Sequence, residues 1–217
     1  TVTYHSEKWS LRTVEGSVQQ DVGEIHLANL PWSARVEDCG PGDARRHPPI
    51  KVDARKGDRG RLLIVGGGPY HGAPILAGLA AERSGCDLVH LAMPSEAIER
   101  AEWPLSLIPE DIPDTTHITT RSVAAILDRV LNGRGCQAVL IGPGLGRESQ
   151  SIEAVCDLIE RLVEANVPLV IDADAIRALP SHEWPAGMVG VVTPHREEMA
   201  HWLGASDPVE ILKIRAR

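Results

Sequence analysis

From Arg61 to Ser84 the chain reads RLLIVGGGPYHGAPILAGLAAERS, an apolar run, three glycines and a stretch of small residues. That order predicts a buried strand, a sharp turn and a helix. Gly66, Gly67 and Gly68 let the backbone bend and approach a neighbour closely, because no Cβ is in the way. Gly72 to Ser84 reads as the helix, with Pro74 in its first turn and Gly85 closing it; Asp87 to Ala92 is the next strand. A strand that runs through glycines into a helix N-terminus presents free N–H groups and the positive end of the helix dipole, which suits an anion. A plain tight connection between strand and helix has the same residues. Two familiar phosphate loops are excluded by spacing. Gly67 and Gly72 sit as in a P-loop, but Ala73 and Pro74 stand where Lys and Ser/Thr belong, and His71 occupies the third glycine position of a dinucleotide fingerprint.

The same alternation continues. Ser95–Arg100 and Ser122–Leu131 read as helices, the second amphipathic through Val123, Ile126, Leu127 and Val130. Gln137–Ile141 is a strand running into Gly142-Pro143-Gly144-Leu145-Gly146, followed by an amphipathic helix over Gln150–Ala165. Val167–Ile171 ends in Asp172-Ala173-Asp174, and Met188–Val192 ends in Thr193-Pro194-His195 before a helix over Pro194–Leu203. A further helix begins at Pro208. Residues 103–120, with three prolines, read as irregular. Strands alternating with helices predict an α/β fold with a mostly parallel sheet. The unusual residues all follow the C-terminal ends of strands, the edge where such sheets bind ligands.

Ahead of this unit, Thr1–Tyr4 and Glu24–Ala28 read as β, and residues 31–59 shift to Pro, Gly and charge. The boundary is placed near residue 50. Gly40-Pro41-Gly42-Asp43 lies in that crossing and reads as a turn rather than a ligand loop. The first residues resemble neither a signal peptide nor an initiator Met, so the chain is expected to come from a longer one.

With 22 Lys+Arg against 30 Asp+Glu the net charge is −8, which argues against a general nucleic-acid binder. No apolar run approaches a membrane span. Cys39, Cys86, Cys136 and Cys156 form no C-x-x-C pair, which predicts free thiols and a cytoplasmic protein. There is no Phe, so the core must rest on Leu, Ile, Val, Ala and Trp.

Several residues carry alternative readings. The 142–146 turn is either a surface for a ligand to lie against or a bare connection. Asp172 and Asp174 suit a hydrated Mg²⁺ or a ligand hydroxyl, while Asp174 also suits the N-cap of a helix starting at Ala175. In 193–198, Thr193 fits the N-cap and Pro194 the first helical position, which puts His195 in the first turn, able to reach the crevice. Glu197 and Glu198 complement the dipole. Lys56 is either a solvated charge or a phosphate contact.

Taken together, Lys56–Pro94, GPGLG at 142–146, DAD at 172–174 and TPHxxE at 193–198 resemble, in order, the ADP/ATP-dependent NAD(P)H-hydrate dehydratase family. The resemblance implies a ribokinase-like, three-layer α/β/α fold over 51–217, incomplete at its C-terminus. Residues 1–50 resemble the tail of the NAD(P)H-hydrate epimerase domain of bifunctional members, through VGEIHLANLPW from Val22. The implied activity is nucleotide-dependent dehydration of the S-epimer of hydrated NADH or NADPH, by phosphorylation of its hydroxyl and loss of phosphate. The implied ligands are that hydrate, ADP or ATP, and Mg²⁺. By the same resemblance Gly72, Ala73, Gly144 and His195 meet the hydrate, supported by Gly66, Gly67, Gly142, Gly146, Asp172, Asp174 and Glu198. Arg177 departs from the Asn usual at its position. The family's G-T-G-D segment, whose Asp is its general base, does not occur in the 217 residues, and that Asp is expected beyond Arg217. No catalytic residue is therefore expected within this chain, and the 217-residue piece alone is expected to be inactive. Partners are expected to be small molecules, with no nucleic acid or membrane, and the protein to be a homo-oligomer. The rival readings are another ribokinase-like kinase, for a vitamin precursor or sugar, and a non-catalytic nucleotide-cofactor-binding module.

Overall fold

The computed structural model describes residues 53–204 and two short strands ahead of them, β1 (Val2–Tyr4) and β2 (His26–Ala28). β1 and β2 pair in parallel, Val2 opposite His26. The chain divides into two compact units between Pro49 and Ile50. Most of the 31–59 crossing, its turn at 40–43 and the helix expected from Pro208 lie outside the described residues. So does Arg217, beyond which the general base is expected.

The second unit is built on six parallel strands: β3 (Arg61–Val65), β4 (Leu88–Met93), β5 (Leu107–Asp111), β6 (Ala138–Ile141), β7 (Leu169–Ile171) and β8 (Gly190–Val192). Their order is β5-β4-β3-β6-β7-β8. The chain therefore builds outward from β3 on one side, then returns to build outward on the other. β3 and β6 are neighbours, with Val65 opposite Ile141, so the reversal lies between them and the connections after both strands flank it.

Alternation along the strands divides the core into two layers. Leu63, Val65, Ala92, Val139 and Ile141 face one side of the sheet, where α3 (Thr120–Leu131), α4 (Ser149–Glu164) and α5 (Arg196–Leu203) cover them. Ile64, Val89, Leu91 and Met93 face the other, under α1 (Gly72–Arg83) and α2 (Ser95–Glu99). The result is an α/β/α sandwich. Leu63, Ile64 and Val65 have no exposed surface, which for side chains of this size stabilises by about 1.5–3 kcal/mol each.

The structure corrects the irregular reading of 103–120. Leu107–Asp111 is a strand, and α3 already starts at Thr120. β5 pairs only with β4, so Pro109 withdraws no donor from a neighbour on the other side, the one setting where a sheet tolerates proline. β5 is tied into the molecule by charge as well. The buried His90 of β4 meets Glu110 of β5 at 2.5 Å, and Arg129 of α3 reaches the same carboxylate at 2.7 Å.

Candidate active site at the sheet reversal

Four connections at the C-terminal edge of the sheet touch in series. Gly67 N donates to the Pro143 carbonyl at 2.9 Å, joining the turn after β3 to the turn after β6. A Cβ at Gly66 would overlap that carbonyl, and one at Gly144 would overlap the carbonyl of Tyr70, just ahead of α1. A Cβ at Gly142 would overlap the Asp172 carbonyl, which joins the third connection. Asp172 in turn accepts from Thr193 Oγ1 at 2.7 Å, which joins the fourth. At Gly66, Gly142 and Gly146, all buried, the missing side chain makes room for a neighbouring loop or side chain rather than for a ligand. Gly67 is buried too, against Met93.

The residues that face outward are different ones. Gly72 and Ala73 are exposed, and a Cβ at Gly72 would meet nothing within 4 Å. Among the described residues no side chain caps α1, so its first N–H groups are available to a ligand. Gly144 is half-buried and His195 exposed.

His195 is placed differently from the sequence reading. It is the N-cap of α5, where Thr193 was expected, and the helix begins at Arg196 rather than Pro194. Its Nδ1 accepts from Glu197 N at 3.1 Å and Glu198 N at 3.4 Å, while Glu198 Oε2 accepts from His195 N at 2.8 Å. This is a capping box with histidine in the place of Ser or Thr. Thr193 is diverted from capping by its bond to Asp172. Asp174 also departs from expectation. It caps nothing; the segment Ala173–Ala178 is a 3₁₀ helix, and Asp174 Oδ1 takes Arg147 Nε at 3.1 Å with Arg177 Nε at 3.9 Å. Ala173, between the two aspartates, is held at φ +50°, a left-handed conformation costly for a residue with a Cβ. Lys56 is exposed and precedes β3, so it stands at the opposite edge of the sheet and is a solvated charge.

Sequence reading missed the arginines. Arg147 follows the 142–146 turn directly and shares a small cavity of about 60 Å³ with Asp174, Arg177, His195 and Glu198. Arg100, after α2, donates to the Gly68 carbonyl at 2.6 Å and holds the first glycine turn. No periodicity marks either residue; adjacency to a glycine loop is the one cue Arg147 carried. Among the described residues no group of three or more His, Cys, Asp or Glu is arranged to hold a metal, and no helix is long and apolar enough to cross a membrane.

Residues 62–214 match the carbohydrate-kinase family model described as NAD(P)H-hydrate dehydratase. The chain belongs to this family. A bifunctional NAD(P)H-hydrate repair enzyme Nnr from Hyperthermus butylicus is 40% identical over 227 residues, covering 100% of this chain and 40% of that protein. An ADP-dependent (S)-NAD(P)H-hydrate dehydratase from Cenarchaeum symbiosum is 37% identical over 180 residues, 79% of this chain and 59% of that one. Among solved structures, the ADP/ATP-dependent NAD(P)H-hydrate dehydratase from Bacillus subtilis, co-crystallised with ATP/Mg²⁺, superposes with TM-score 0.54 at 26% identity, over 78% of this chain and 55% of that one. The fold is thus the ribokinase-like α/β sandwich of these dehydratases. The chain spans about 40% of the length of the bifunctional family members it matches.

Proposed function

We propose that the protein carrying this chain restores hydrated NADH or NADPH, as the S-epimer, by ADP- or ATP-dependent dehydration. The observation that carries this reading is the one crevice edge on which outward-facing Gly72, Ala73, Gly144 and His195 meet, in a chain of the dehydratase family. The substrate hydroxyl on C6 of the nicotinamide ring takes a phosphoryl group from the nucleotide. The C6–O bond then breaks with the ring nitrogen's lone pair pushing, phosphate leaves, and loss of a C5 proton restores the dihydropyridine. Phosphorylation matters because hydroxide is a poor leaving group; the protein's share is positioning and charge stabilisation.

In this assignment the N–H groups opening α1 and the backbone at Gly144 receive the nicotinamide end. His195 acts as a donor. With Nδ1 occupied as an acceptor from the helix, its proton is on Nε2, shared between Glu198 Oε1, 3.1 Å away, and a ligand carbonyl or hydroxyl. It is a binding group rather than a base, and the general base is assigned to an Asp beyond Arg217. Glu198 supports His195 through the capping box, and Asp172 and Asp174 set the neighbouring turn. Both carboxylates are already engaged, by Thr193 and Arg147, so Mg²⁺ is assigned to the nucleotide's phosphates rather than to a protein cage. Residues 1–50 are assigned to the tail of an epimerase-like domain and 51–217 to the dehydratase. The match to a bifunctional relative along the whole chain supports that division. We also assign the protein to the cytoplasm and expect a homo-oligomer.

The test is a coupled assay of the full-length protein with enzymatically prepared NADH hydrate, following recovery of the reduced-nicotinamide absorbance. Recovery should require ADP or ATP and fall at least about tenfold in kcat/KM in His195→Ala. Nucleotide consumption with a vitamin precursor or sugar instead, and none with hydrate, would replace this reading by the kinase one.

A further inference from the structure

A second concavity, of about 550 Å³, opens at the same sheet edge, lined by Thr116, His117, Thr119, Arg121, Gln150 and Glu153 among others. Its walls are the loop after β5 and the first turns of α3 and α4. The volume is in the range of small-molecule sites. It adjoins the crevice: Thr116 O lies 3.5 Å, and Leu145 O 3.0 Å, from where a Cβ on Gly68 would stand.

The loop is held in place before any ligand arrives. Asp114, 4% exposed, accepts from Thr119 N at 2.7 Å, Thr119 Oγ1 at 2.8 Å and Ser122 Oγ at 2.5 Å. The carbonyls of Asp114 and Thr115 accept from Ser95 N and Glu96 N, the first donors of α2. His117 then bridges the walls. Thr116 Oγ1 is 2.9 Å from its Nδ1, and Gln150 Oε1 is 3.1 Å from its Nε2, so the ring is fixed at both nitrogens. The Gln150 amide N–H₂, the threonine hydroxyls and the Arg121 guanidinium remain to meet a ligand. Hydroxyls, an amide and one guanidinium match a sugar, a purine edge and a phosphate better than an apolar ring.

We propose that this concavity holds the adenosine half of the hydrated dinucleotide. The inference rests on the dehydratase reading, in which only the nicotinamide end lies over Gly144 and His195. The other half of so long a substrate needs its own anchor, and binding energy far from the reacting carbon is what positions that carbon.

Truncating the substrate isolates the contact. Gln150→Ala, on the exposed first turn of α4, and His117→Ala, which also loosens the loop, are assayed in the full-length protein. The substrates are NADH hydrate and the hydrate of reduced nicotinamide mononucleotide, which lacks the adenosine half. Each variant should lose at least about tenfold in kcat/KM on the dinucleotide and less than about twofold on the mononucleotide. KM for the nucleotide donor should hold within about twofold. Equal losses on both substrates, no loss on either, or a rise confined to the donor's KM would overturn the proposal. If the unmutated protein turns over neither hydrate, the dehydratase reading falls by itself, and the concavity is judged by binding of NADH, read from its fluorescence. Binding weakened at least about tenfold by both variants supports it; binding that is absent, or equal in all three proteins, overturns it.

Discussion

The Nδ1 atom of His195 holds the first turn of α5, and its Nε2 carries the proton offered to a ligand, so substitution can separate the two duties. His195→Ala removes both and should cost about 1 kcal/mol of stability, the usual worth of an N-cap. His195→Asn keeps a capping acceptor and should melt within a few tenths of a kcal/mol of the unmutated protein. Both should lose hydrate turnover alike. If His195→Asn restored activity with the cap, the histidine would be a structural residue only. Gly72 offers the converse case. Its Cβ direction is open and it starts a helix, so Gly72→Ala should leave stability unchanged or raise it by up to about 0.5–1 kcal/mol. A ligand lying against the exposed start of α1 would meet the new methyl, and KM for the hydrate should rise. Stability retained with KM unchanged would remove Gly72 from the site.

Loops and strands behave differently from these outward positions. Gly142 has φ +124° and no room for a Cβ beside the Asp172 carbonyl, so Gly142→Ala should lose more than about 2 kcal/mol in a denaturant titration. A loss as small as that for Gly72 would mean that the turns are not locked together. The long apolar strands β3, β4 and β6 were legible because their runs are buried on both faces. β5 was not: a single-sided edge strand can carry Pro109, Glu110 and Asp111, which in a central strand would argue against β. Its hold on the sheet is instead polar and titrates. Burial, and the nearby Arg129 and Arg61 charges, lower the His90 pKa below its ordinary 6.5 more than Glu110 raises it, with the Cys136 thiol packed in the same region. The unfolded chain thus binds a proton that folded His90 resists. The resulting stability is fully present above pH 6.5 and declines as pH falls below it. His90→Gln should flatten that decline in urea titrations across the mildly acidic range. Parallel slopes for the two proteins would show that His90 is not its source.

At the level of the whole molecule, the candidate site exists only through topology. Gly72, Gly144, Asp172 and His195 are spread over more than a hundred residues, and the sequence marked each as following a strand end. Their meeting depends on β3 and β6 being neighbours, with β7 and β8 next in line, which the alternation of elements alone does not dictate. The helix start at 193–196 was blurred for another reason. Thr, Pro and His can each occupy the cap region, and only the Asp172 bond withdraws Thr193 from the competition. A site assembled from four connections makes ligand binding a global event, because unfolding any one of them releases the ligand. NADH at a hundredfold excess over its Kd should therefore stabilise the full-length protein by about 2.7 kcal/mol, seen as a raised midpoint for the cooperative unfolding of the unit that contains these strands. Gln150→Ala should lower NADH affinity from the concavity, and His195→Ala from the crevice. At a fixed NADH concentration each should then give a smaller rise than the unmutated protein, and the double variant the smallest. A rise unaffected by either substitution would place NADH elsewhere on the molecule, and both halves of the proposed site would fall together.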